Sequence, residues 1–144
     1  MPSGSPRASR APSDQRMKMS RERDAGGPIV RGLSTAGFRL DETTVLSAAL
    51  LTVSDAEAWT PPPLAELTEE ALAPILELAP EFILIGTGDT LARPPRALVD
   101  ALDARGIGVE AMDSRAAAKA WGVLRSEGRQ IGAALYPLGG DPQR

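Results

Sequence analysis

The sequence predicts an α/β fold: a single domain with a central mixed β-sheet flanked by helices, in which an N-terminal antiparallel hairpin leads into a β-α-β-α-β half. Three observations carry this. In the second half, apolar runs of strand length (Phe82–Ile85, Ile107–Met112 and Gln130–Tyr136) alternate with segments of helical period. The run Phe82-Ile83-Leu84-Ile85 is apolar without interruption, the pattern of a strand covered on both faces. Further upstream, short β-prone runs flank Asp41-Glu42, which is a hairpin pattern. Alternating strands and helices imply right-handed crossovers and a largely parallel sheet, to which the hairpin adds antiparallel strands.

Residues 1–27 are rich in Pro, Ser, Arg and Gly and nearly devoid of large apolar side chains. Such a segment buries too little surface to offset its ordering entropy, so it is expected to be a disordered basic tail. A basic arm for nucleic acid and a transit peptide are its functional alternatives, and an inert tail is preferred. Met17 and Met19 stand beside Met1 as alternative native starts. The domain is expected over residues 28–137, with a C-terminal tail over 138–144.

Within the domain, Ile29–Leu33 and Gly37–Leu40 look like short strands, and at least half of Val45 to Val53 should be strand. Trp59-Thr60-Pro61-Pro62-Pro63 reads as an extended, rigid connection rather than a polyproline ligand. Thr68 is a suitable N-cap, with Leu67 and Leu72 as a hydrophobic staple and Leu72, Ile75, Leu76 and Ala79 as the inward face. Pro74 conflicts with a start at Thr68, because it removes an interior hydrogen bond; a later start with Pro74 in the first turn is the alternative. Pro80 ends this helix. Pro94-Pro95 open the next, with Leu98, Ala101 and Leu102 inward and Gly106 at its C-cap. Asp113 or Ser114 caps a third helix, in which Ala117, Trp121 and Leu124 face the core and which Gly128 closes. Arg129 is expected to pair with Glu127 or Glu110 at the surface.

Composition excludes several chemistries. The chain of 144 residues has no Cys and no His. Disulfides, thiolate nucleophiles, cysteine-ligated metals and every Ser-His or Cys-His arrangement are therefore absent. Residues 1–23 hold six Arg/Lys and two acids, a balance of +4, whereas the rest holds ten Arg/Lys and seventeen acids, a balance of −7. An acidic body is a poor match for nucleic acid. No apolar run approaches the roughly 18–20 residues that span a bilayer. A cytoplasmic protein is expected, with no cofactor and no metal site.

The candidate site is the turn Gly86-Thr87-Gly88-Asp89, at the carboxyl end of the buried strand. Ligands of open α/β sheets bind at such ends, and Arg93 and Arg96 are near enough in sequence to meet an anion. The dinucleotide fingerprint fails, since its third glycine is Leu91, and no Walker A lysine follows. Asp113 and Ser114 end the next strand; if the two strands are parallel neighbours, Asp89 and Asp113 share a rim as a possible acid/base pair. The structural alternatives are preferred: Asp113 as a helix cap, Asp89 as a turn residue, and Gly86 and Gly88 as positions of positive φ or close backbone approach. In a purely structural turn, Thr87→Val should leave stability unchanged. The ligand-binding candidates are thus Gly86, Thr87, Gly88, Asp89, Arg93, Asp113 and Ser114.

ILIGTG, a proline-started helix and GIGVEAMDSRAAAKAWGVLRSEGRQIGAAL together resemble a small α/β domain family of unknown function in bacteria and archaea. The same domain occurs in the mitochondrial respiratory complex I assembly factor 3. The resemblance covers Ile29 to Pro137, and Trp59 followed by prolines matches as well. It implies no established enzyme activity and no cofactor; the eukaryotic relatives act by binding proteins during assembly of a respiratory complex. The family pattern Met-Asp-Thr-x-Ala-Ala-Cys-Arg-Thr-Tyr-Asn is altered here to Ser114, Ala118, Lys119, Ala120, Trp121 and Gly122. Loss of that thiol and that amide moves the reading from catalysis toward binding.

The sequence therefore favours a non-catalytic accessory or assembly factor, a monomer or weak homo-oligomer. Its partner would be another protein, such as a respiratory complex subunit. The rival is a small anionic-ligand module or enzyme at the Gly86–Asp89 rim.

Overall fold

The computed structural model describes residues 27–139. The expected disorder of the N-terminal segment lies outside these residues except for Gly27. Among the described residues, eight strands form two sheets. β1 (Gly32–Ser34), β2 (Gly37–Arg39) and β3 (Val45–Leu46) make an antiparallel meander. The main sheet has the order β5-β4-β8-β6-β7, with β4 (Ala49–Leu51), β5 (Ala56–Ala58), β6 (Phe82–Gly86), β7 (Gly108–Met112) and β8 (Gly132–Leu135). β6 pairs in parallel with both β7 and β8, whereas β4 is antiparallel to β5 and β8. The sheet is mixed, as expected.

Side chains alternate across it. Leu50, Ile83, Ile85 and Ala134 face one layer, formed by the loop carrying Leu64 and Leu67, by α1 (Ala73–Leu76) and by α2 (Arg96–Ala104). Ala49, Leu51, Leu84, Ala133 and Leu135 face the other, formed by α3 (Ser114–Ser126) and the meander residue Phe38. This period of two places β6 between two apolar layers, which is why its sequence has no polar position.

Several elements depart from the sequence expectations. The run Val45–Val53 is strand over five of its nine residues, in keeping with the expectation of at least half, but as two strands in different sheets. A hairpin strand, β5, follows the turn at Thr52–Asp55, in a stretch to which the sequence assigns no element; Thr52 N donates to Asp55 O at 2.8 Å. No helix starts at Thr68. A 3-10 turn spans Glu70–Leu72 and α1 then begins with Pro74 in its first turn, where its missing N–H is harmless. Ala79, expected to face inward, is exposed and has φ 48°. Arg129 pairs with neither Glu127 nor Glu110. It bonds the Glu81 carboxylate at 2.9 and 3.1 Å, the two residues lying just before the starts of the parallel neighbours β8 and β6, and lies over the Phe82 ring. That guanidinium holds the Glu81 carboxyl below its ordinary value.

Trp121 is fully buried in α3 and its indole N–H donates to Pro28 O at 2.8 Å. Tyr136 donates to Pro62 O at 2.8 Å and packs edge-on against Trp59, so the triple-proline connection is tied to the core. Burial raises the Tyr136 pKa. A raised value means that the phenol's contribution is complete below the unfolded value of about 10 and is lost as pH rises beyond it. Unfolding monitored against alkaline pH should show this loss in wild type and not in Tyr136→Phe.

Candidate functional site

The carboxyl ends of β6, β7 and β8 meet at one rim, and the first turn of α3 closes it. Gly86 ends β6 under Ser114: a Cβ there would stand 2.8 Å from Ser114 Oγ and 2.9 Å from Ser114 Cα. Gly88 has φ 100°, a region that side chains rarely adopt. One glycine is required for close approach and the other for backbone geometry, as the sequence suggests.

Ser114 is the joint. Its hydroxyl donates to Tyr136 O and accepts from Gly88 N, both at 2.8 Å, and its own amide donates to Gly88 O at 2.8 Å. The ends of β6 and β8 and the start of α3 are thereby linked through one fully buried side chain. Asp113 caps α3, accepting from Ala116 N at 2.8 Å. Two amides that would otherwise face an incoming anion at this helix end are thus engaged.

Thr87 is fully buried. Its hydroxyl donates to Thr90 O at 2.7 Å and accepts from Ala92 N at 3.0 Å, while Thr87 N bonds Met112 O at 2.8 Å. The expectation that this hydroxyl is dispensable in a structural turn is therefore corrected. Thr87→Val removes two part-buried hydrogen bonds, worth about 0.5–1.5 kcal/mol each, and equilibrium denaturation should show a loss of about 1–3 kcal/mol.

Asp89 is exposed. Both of its carboxylate oxygens lie within 3.0 Å of Gly139 N, and Arg115 approaches at 3.4 Å. Leu138 is buried, so the packed chain runs past Pro137 and crosses the rim. The carboxylates of Asp89 and Asp113 thus serve different partners, a C-terminal strap and a helix end. Arg93 is exposed, and Arg96 pairs with Asp100 at 3.5 Å. The structure brings together Gly86, Thr87, Gly88, Asp113 and Ser114 and connects Asp89 to Arg115. Arg115 and Gly139 were missed, because their contacts with Asp89 span 26 and 50 residues.

Among the described residues no helix is long and apolar enough to cross a membrane, and no cluster of acidic residues is placed to hold a metal ion.

A family model described as a protein of unknown function (DUF498/DUF598) matches residues 30–136. An uncharacterized protein of Rhodobacter capsulatus is 35% identical over 118 residues, spanning 81% of this chain and 90% of that one. The human NADH dehydrogenase (ubiquinone) 1 alpha subcomplex assembly factor 3 is 28% identical over 124 residues, 85% of this chain and 67% of the human protein. The bovine factor is 32% identical over 106 residues, and the match spans 58% of its length. Among solved structures, a Bordetella parapertussis protein superposes with a TM-score of 0.70 at 29% identity, over 78% of this chain and 97% of that one. A Xanthomonas campestris protein does so with a TM-score of 0.69 at 30% identity, over 84% and 92%.

Proposed function

The chain belongs to the DUF498/DUF598 family of proteins of unknown function, and from that premise we propose that it is a cytoplasmic, non-catalytic accessory protein that acts by binding other proteins during assembly of a respiratory NADH dehydrogenase. The likeness to assembly factor 3 over 85% of this chain carries the reading. The rim supports it. The buried hydroxyls of Thr87 and Ser114 and the carboxylate of Asp113 each have intramolecular partners, so little chemistry faces outward from the turn.

The test is a tagged chain at native expression level, cross-linked in cells and purified, together with deletion of its gene. The expected result is enrichment of a subunit or assembly intermediate of the NADH dehydrogenase, and reduced assembled complex in the deletion strain. No enrichment over an untagged control, with normal complex levels after deletion, would refute the reading. The anionic-ligand module at Gly86–Asp89 remains the rival, because that rim lies at the strand ends where α/β sheets bind ligands.

A further inference from the structure

β5 is an edge strand, and among the described residues no strand pairs with its outer side. Its register fixes which backbone groups face outward. Trp59 N donates to Ala48 O and Thr52 N to Asp55 O, so in the ladder with β4 the hydrogen-bonded partners include Leu50 and Glu57. In an antiparallel ladder such pairs alternate with non-bonded ones. Ala56 and Ala58 therefore turn their N–H and C=O groups away from β4. Natural edges are kept short or blunted by charged side chains, Pro or bulges, because open edges recruit strands. β5 is three residues long and carries one charge, Glu57, with no Lys, Pro or bulge.

The charged side chains of β5 and of the turn before it are Asp55 and Glu57, both exposed and both acidic. Elsewhere between Arg39 and Arg93 the sequence holds no Lys or Arg, and three of its acids, Glu69, Glu81 and Asp89, are paired with Arg105, Arg129 and Arg115. The opposite edge, β7, lies instead between Arg105 and Arg115. Beside β5, half-buried Trp59 is held edge-on to Tyr136 at 5.1 Å, a rigid aromatic of the kind that anchors interfaces.

We infer that the outer edge of β5 is a docking strand that takes an extended, lysine- or arginine-bearing segment of a partner protein as a sixth strand of the main sheet. Main-chain bonds to Ala56 and Ala58 would hold the segment and Glu57 would select its charge, the usual division of labour in strand addition. This deepens the protein-binding reading and rests on it.

The test uses the full chain and a short synthetic peptide in which lysine alternates with valine and threonine, with a glutamate-for-lysine peptide as control. Amide NMR titration is expected to shift Ala56, Ala58 and the Trp59 indole saturably with the lysine peptide alone, leaving Val109 and Ala111 on β7 unmoved. Ala58→Pro removes an outward N–H, which a proline on an edge strand tolerates. It should abolish binding and leave the melting temperature near wild type, and Glu57→Lys should weaken binding about tenfold. If Ala58→Pro unfolds, Glu57→Lys decides alone. Undiminished binding in a folded variant, shifts at β7 instead, or no shift at all overturns the proposal. So do shifts at Ala56 and Ala58 that grow with protein concentration without peptide, since a second copy would then occupy the edge. A native partner that binds Ala58→Pro as tightly as wild type refutes the edge and spares the accessory reading. A wild-type chain with no cellular partner refutes the accessory reading whatever the peptide does.

Discussion

Trp121→Ala is expected to destabilise the domain by about 3–5 kcal/mol, the usual range for truncating a buried aromatic side chain. The ring is fully buried between α3 and the sheet, in the cluster with Phe38, Leu51 and Leu135. Its removal opens a cavity there, and α3 also loses its bond to Pro28 O. Chemical denaturation of both proteins measures the difference. Trp121→Phe keeps most of the volume and drops only the N–H, so its loss should be smaller. A loss below about 1 kcal/mol for Trp121→Ala would mean that the indole does not fill the core.

Gly86→Ala is the second large effect, expected at about 1–3 kcal/mol as an overpacking change. The new methyl meets Ser114 Cα at 2.9 Å and Leu135 Cδ2 at 3.0 Å. A side-chain tip can rotate away, but backbone at Ser114 moves only if the start of α3 lifts from the sheet. That lift would also stretch the Ser114 bonds to Gly88 N and Tyr136 O. The effect should therefore extend beyond the turn, with hydrogen exchange rising at Gly88 and Ala116. An unchanged midpoint with unchanged exchange would show that the rim has slack.

These two sites differ in how far the sequence reveals them. Trp121 is legible because Ala117, Trp121 and Leu124 repeat at helical spacing, and spacing is a local property. The uninterrupted apolar run Phe82–Ile85 marks β6 as an inner strand of the sheet for the same reason. Gly86 and Gly88 are legible as special backbone positions, although what approaches Gly86 is not. The fate of the Thr87 hydroxyl is illegible: it depends on how Thr90 and Ala92 fold back, a turn without periodicity. β5 is missed because Ala56, Glu57 and Ala58 have weak strand preference and are held by pairing with β4. The run Val45–Val53 looks continuous because both of its strands are apolar, yet residues 47–48 carry it from one sheet to the other. Arg129 finds Glu81 across 48 residues, a tertiary contact that charge spacing does not encode.

A Gly86–Asp89 rim that is a closed structural joint, as proposed, leaves no place for an anion. The most direct test is the melting temperature of the wild type against inorganic phosphate and nucleotides, because any ligand that binds only the folded state raises it by mass action. A flat response through sub-millimolar concentrations is expected. A saturable rise that disappears in Arg93→Ala would contradict the claim and place an anion site at the rim.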